Sequence, residues 1–149
     1  TTTYLTMAAL IAVMSEIASF NGSYKRVKHE GLDAFLSLQG APWPARKIIC
    51  AESPTANITC LDGKFTIKVT GTVGYTDSFE FGADPIEGKG KKGPYMGKVR
   101  FEEGKIVVTK VTPGVNVMTM VRGLSEDKNT LIQVVTCKTE DGKEAVSTQ

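Results

Sequence analysis

Ala56-Asn57-Ile58-Thr59-Cys60-Leu61-Asp62-Gly63-Lys64-Phe65-Thr66-Ile67-Lys68-Val69-Thr70 is the stretch on which the fold turns. Asp62-Gly63 is a dipeptide that adopts positive φ at both central positions of a tight hairpin turn. After it, Phe65, Ile67 and Val69 fall on one face while Lys64, Thr66 and Lys68 fall on the other. That period of two marks a strand with one face buried. The same punctuation recurs downstream. Glu103-Gly104 separates Tyr95–Phe101 from Lys105–Thr112, and Pro113-Gly114 leads into Val115–Val121. Ser125–Asn129 precedes Leu131–Lys138, and Asp141-Gly142 precedes Lys143–Gln149. Turn signals at intervals of about ten residues, with no long helical pattern between strands, indicate an antiparallel sandwich or barrel. Neither an internal repeat nor a linker interrupts residues 16–149, which are expected to form one all-β domain.

Upstream, Asn21–Lys28 reads as a first strand. Leu32, Phe35, Leu36 and Leu38 then recur at helical spacing over Leu32–Leu38. Gly40-Ala41-Pro42 ends that helix, and Pro42 or Pro44 opens a second, because proline is tolerated in a first helical turn. Residues 1–15 carry no charge and are apolar from Met7 to Met14, far short of the ~20 residues needed to span a membrane. This segment fits the apolar region of a secretory signal peptide, with Val13-x-Ser15 as its small-residue cleavage signal. The expected location is therefore extracellular, with the cytoplasm as the alternative. Asn57-Ile58-Thr59, a glycosylation sequon, points the same way. The alternative is an apolar helix that packs on the barrel or joins a second copy, making the chain a structural or assembly protein that oligomerises through it.

Composition narrows the function classes. Hydrophobic residues make up 41% and charged residues 23%, as in globular proteins. The net charge of +2 is spread along the chain, and its one tight basic cluster, Lys89, Lys91 and Lys92, lies in a glycine-rich stretch without interleaved aromatics. Nucleic acid is not an expected partner. Three cysteines, none in a CxxC, and one histidine, His29, are too few and too scattered for a closed zinc site. Cys137 lacks a base near it in sequence, and Glu102-Glu103 sit in a turn, so no catalysis is expected. Lys25, Arg26, Lys28, Arg46 and Lys47 flank the two helices as a solvated surface or as a transient contact with anionic membranes.

The strand faces also carry functional information. Asn116, Met118, Met120 and Arg122 share one face of their strand, and Leu131, Gln133, Val135 and Cys137 share one face of the next. A solid core rejects Arg122 and Gln133, because burying unpaired polar groups is costly. A cavity that holds water and an amphipathic guest accepts them. Met118 and Met120 are adaptable liners for such a space.

Gly22-Ser23-Tyr24-Lys25-Arg26-Val27, followed by Gly31-Leu32-Asp33-Ala34-Phe35-Leu36, resembles the opening strand and helix of the fatty-acid-binding protein family, the intracellular lipid-binding proteins. Leu32 stands where the family has an aromatic, and Arg26 where it has an apolar residue. Gly40–Ile48, Pro54-Thr55, Asp62–Lys68 and Phe79-Glu80-Phe81-Gly82 follow the family in order, so the likeness covers about residues 17–149. It implies a ten-stranded antiparallel up-and-down barrel with a helix-turn-helix lid, a hydrophobic ligand inside and no further cofactor. Family members fix a carboxylate with two arginines and a tyrosine. Arg122 matches the first arginine, but Ser147-Thr148-Gln149 stands where the Arg-x-Tyr pair is expected. Cys137 matches an inward-facing cysteine. The expected ligand site is thus Arg122, Gln133, Met118, Met120, Val135, Cys137, Ser147 and Gln149, with Phe35 in the lid and Val73 and Tyr75 at the opposite turn. The ligand is expected to be a fatty acid. With half the clamp missing, a retinoid- or carotenoid-like molecule is the alternative, its neutral polar end served by Gln133, Ser147 or Gln149.

Overall fold

The structure, a computed structural model, describes residues 6–149. The first five residues of the apolar N-terminal segment lie outside the described residues. The hairpin read from Asp62-Gly63 forms as expected: φ is 51° at Asp62 and 75° at Gly63, joining β2 (Thr55–Leu61) to β3 (Lys64–Val69) with Leu61 opposite Lys64. Glu103 and Gly104 repeat the turn, with φ of 50° and 76°. It links β6 (Gly93–Glu102) to β7 (Lys105–Thr112).

Ten strands form two antiparallel sheets. The first holds β1 (Gly22–Lys25), β2, β3 and β4 (Tyr75–Glu80) in that order. The second runs from β5 (Ile86–Gly90) through β6, β7, β8 (Asn116–Leu124) and β9 (Leu131–Thr139) to β10 (Glu144–Thr148). Both sheets turn their apolar faces to one shared core. Phe65, Ile67, Val99, Ile106 and Val108 have no exposed surface, and Ile58, Phe79, Met120 and Val135 pack with them.

One seam between the sheets is bridged by backbone. The Glu30 N–H donates to Thr148 O at 2.8 Å, and the Thr148 N–H returns to Glu30 O at 2.9 Å. This bridge explains why the first strand is shorter than Asn21–Lys28. The Arg26 N–H makes a last bond to Pro54 O at 3.0 Å, after which the chain leaves β2 to reach β10. At the other seam no ladder joins β4 to β5 among the described residues. Side chains close part of it, beside a cavity lined by Ser78, Glu80, Ile86 and Lys98. The Phe79 ring lies where a Cβ on Gly97 would stand, 2.7 Å away.

The glycine-rich stretch around Lys89 forms β5 rather than an open turn. Gly88 pairs with Tyr95, whose ring covers it so closely that a Cβ would lie 2.3 Å away. An aromatic laid over a strand glycine restores packing that the glycine lacks.

Two helices close one end. α2 (Leu32–Leu38) buries Leu32, Phe35 and Leu36, over the range its spacing predicts. Gly31 precedes it at φ 71°, with its Cα so near β10 that a Cβ would sit 2.3 Å from Val146 O. α3 (Trp43–Ala51) is capped by Pro42 and carries Pro44 in its first turn. The third helix, α1 (Met7–Ala18), starts at Thr6, whose Oγ1 accepts from Ala9 N at 3.1 Å. It buries no residue, and Met7, Leu10, Ile11 and Met14 are exposed. α1 runs three residues beyond Ser15, so the expected domain boundary falls inside the helix. No helix among the described residues is long and apolar enough to cross a membrane.

Candidate ligand-binding site

Strand alternation gathers the site. In the register of β8 and β9, Arg122 stands opposite Gln133, Met120 opposite Val135 and Met118 opposite Cys137. Between these strands, the lid and the turn before β4 lies a cavity of about 300 Å³. That volume is at the lower end of the range for small-molecule sites, roughly 300–1,000 Å³. Of the residues expected to line it, Gln133, Met118, Met120, Val135, Gln149, Phe35, Val73 and Tyr75 do so. Arg122, Cys137 and Ser147 lie behind the wall, with 0%, 1% and 0% exposure.

Arg122 is the largest fully buried side chain. Its Nε donates to Gln133 Oε1 at 2.8 Å and its Nη2 to the Tyr75 hydroxyl at 3.1 Å. The guanidinium lies 5.7 Å from the centroid of the Phe65 ring. Nη1 is buried without a hydrogen bond, and no carboxylate pairs with Arg122 among the described residues. An arginine cannot shed its proton in a protein, so this charge stays. Burial pushes the Tyr75 phenol above its ordinary pKa, against a smaller pull from Arg122. Tyr75 thus keeps its proton, and while its oxygen accepts from Arg122 its hydrogen remains available to an anion.

Two further charged groups, neither among the expected site residues, also line the cavity. Lys110 lines the cavity, with Nζ 2.8 Å from Asp77 Oδ1 and 2.7 Å from Oδ2. The Asp77 side chain is 3% exposed. The pair sits between two rings, 5.3 Å from the Tyr75 centroid and 4.9 Å from that of Tyr95. The signal was present in the alternation. Asp77 falls between inward-facing Tyr75 and Phe79, and Lys110 keeps step with buried Ile106 and Val108.

The second group is Arg26. Its Nη2 donates to Ile49 O at 2.5 Å and Glu52 O at 3.0 Å, and its Nη1 reaches Gln149 Oε1 at 3.4 Å. It therefore ties the end of α3 to the chain after β1 and to the C-terminal strand. Glu52 then holds the lid to the opposite turn, its carboxylate accepting from the Thr72 backbone at 3.0 Å and from the Thr72 hydroxyl. Those bonds hold its pKa below the ordinary carboxylate value.

Of the remaining expected features, only Lys25 and Arg26 reach the cavity wall. Of the five basic residues around the lid, Arg26 is engaged as described and Arg46 bonds Asp33 at 2.9 Å and Ala41 O at 2.8 Å. Lys25, Lys28 and Lys47 are exposed, the last 4.9 Å from the Trp43 ring centroid. Asn57 is exposed in β2, where its Oδ1 accepts from the Ser23 hydroxyl. All three cysteines are thiols, and burial pushes Cys60 up to about 11 and Cys137 upward as well. His29 bonds Cys50 O at 2.8 Å rather than any nucleophile. Among the described residues no three His, Cys, Asp or Glu side chains gather into a metal-binding group.

No protein-family model matches the chain. A fatty acid-binding protein of Tyrophagus putrescentiae is 28% identical over 120 residues, 80% of this chain and 91% of that protein. The structure of a Schistosoma mansoni fatty acid binding protein in complex with arachidonic acid superposes with a TM-score of 0.68 at 25% identity, covering 89% of this chain and 96% of that one. The zebrafish ileal bile acid-binding protein complexed with cholic acid gives a TM-score of 0.68 at 21% identity, over 87% and 95% of the two chains. In fold, and in sequence across most of its length, this chain is similar to the fatty-acid-binding proteins.

Proposed function

We propose that the protein binds and carries a fatty-acid-like amphipathic lipid inside the barrel and performs no chemistry on it. The observation that carries this reading is Arg122, fully buried beside the cavity with Nη1 unbonded and no carboxylate partner among the described residues. Leaving a buried charge uncompensated is strongly destabilising, whereas a carboxylate gains charge-assisted hydrogen bonds there. The ligand head reaches toward Arg122 past Gln133 and Tyr75, which line the cavity and already hold the guanidinium. Met118, Met120, Val135 and Phe35 cover the chain, and removal of its apolar surface from water drives binding at about 25 cal/mol per Å². The acids held by the Schistosoma and zebrafish proteins support the same choice over a retinoid or carotenoid with a neutral end.

Titration with oleic acid and oleyl alcohol tests the reading. Clear preference for the acid is expected; equal affinities overturn the role of Arg122, and no binding of either overturns carriage. We further propose that residues 1–15 act as a secretory leader and that the protein works outside the cell. The apolar and unpacked Met7–Met14 stretch supports this. N-terminal sequencing of secreted protein tests it, a start at Glu16 being expected and a retained Met7–Ser15 stretch refuting it.

A further inference from the structure

Building on the fatty-acid reading, we infer that the carried lipid bears a second oxygen function, a hydroxyl or oxo group along its chain, and that Lys110 with Asp77 selects it.

The pair ties β4 to β7 across the two sheets, but that link does not require charges. A buried ion pair is often matched or exceeded in stability by apolar residues of the same volume. Here Lys110 stands in the wall where a plain hydrocarbon would have to lie, with Asp77 buried behind it. Nor is the pair saturated. An ammonium carries three N–H donors, and Lys110 spends its hydrogen bond on Asp77 Oδ1 while contacting Oδ2. Asp77 Oδ2 itself accepts no hydrogen bond among the described residues. The Tyr75 and Tyr95 rings shield the pair on two sides but offer the ammonium only their π faces. Lys110 thus offers the cavity wall a spare donor, with the Asp77 carboxylate fixing it from behind. A methylene leaves that donor unmet. A hydroxyl or oxo oxygen accepts from it.

Register places this point away from the head-group end. Ile106 pairs with Arg122 and Lys110 with Met118, four positions along the same two strands. The backbone positions are roughly 13 Å apart at about 3.3 Å per residue, but the side chains converge on Tyr75, whose hydroxyl meets Arg122 Nη2 at 3.1 Å and whose ring centroid lies 5.3 Å from Lys110 Nζ. A carboxylate near Arg122 therefore sets the second oxygen partway along the acyl chain rather than next to the acid.

The test compares stearic acid with 2-, 7- and 12-hydroxystearic acids on the full chain. The 7-hydroxy acid is expected to bind about tenfold tighter than stearic acid, with no gain from a 2-hydroxyl. The paired substitution Asp77→Leu with Lys110→Met should erase that preference, so that stearic acid and its 7-hydroxy derivative bind alike. Equal or weaker binding of every hydroxy acid overturns the inference while leaving the carrier reading standing, and so does a preference that survives the paired substitution. Failure of all four acids to bind overturns both. The hydroxyl-position series on the unaltered protein decides the matter even where the double variant does not fold.

Discussion

Helix α1 and the barrel interior invert one another. Met7, Leu10, Ile11 and Met14 are exposed along a helix that buries nothing. Arg122, Asp77 and Ser147 are buried among strands whose outer faces carry the lysines. A folded domain ordinarily hides its apolar groups and wets its charged ones. In α1 the inversion means that its exposed apolar side chains draw little stability from this domain, although Ile17 near its end packs against the core. In the barrel it says the interior is arranged around something absent from the chain. Charge in an interior is tolerable when a guest completes its bonds.

Four measurements break or sharpen this contrast. The largest effect is expected in the apolar part of the interior. Phe65 is fully buried, and Phe65→Ala should cost about 3–5 kcal/mol in chemical denaturation. A cost below about 1 kcal/mol would mean the core around it is loose. Next, Arg122→Leu should raise the Kd for oleic acid by about 10- to 100-fold, matching the worth of hydrogen bonds to charged groups. The same change should leave oleyl alcohol within about threefold, and the empty protein no less stable. Parallel losses for acid and alcohol would remove Arg122 from the site.

A third expectation concerns alkaline pH. Burial lifts the folded Cys60 thiol from 9.0 to about 11, so it stays protonated while the unfolded chain ionises. Its contribution is complete below pH 9.0 and is lost as pH rises toward about 11. Tyr24, Tyr75, Tyr95 and Cys137 are raised as well and act in the same direction. Urea midpoints should fall across that interval, and Cys60→Val should flatten the fall; an unchanged slope would place the effect on the tyrosines. The smallest effect belongs to α1. Ile11→Asn should shift the barrel's stability by less than about 0.5 kcal/mol, as for surface substitutions. A larger loss would show that α1 is part of the folded core.

The legible parts of the sequence were those governed by neighbours. Asp62-Gly63 and Glu103-Gly104 turn as their φ preferences require, and Leu32–Leu38 forms the helix its spacing marks. The inward faces of β8 and β9 were also readable, since side chains alternate along a strand. Less was legible where distant segments meet. The strand at Gly88 depends on the Tyr95 ring across the ladder, and the early end of β1 depends on Glu30 reaching Thr148. Arg26 looked like one of a set of surface cations, yet its three acceptors come from α3, the residue after it and the C-terminus.

Local chemistry by itself determined the antiparallel all-β plan, the helical pair and the presence of Arg122 and Gln133 on inward faces. Turn dihedrals and period-two alternation act over a few residues, so they can be read in order along the chain. Only the tertiary structure decided what surrounds those groups. Arg122 meets Tyr75 from 47 residues away, and Lys110 meets Asp77 from 33, each across the space between two sheets. No periodicity encodes such a meeting. It follows from how the sheets face one another, which is set by the packing of the whole core.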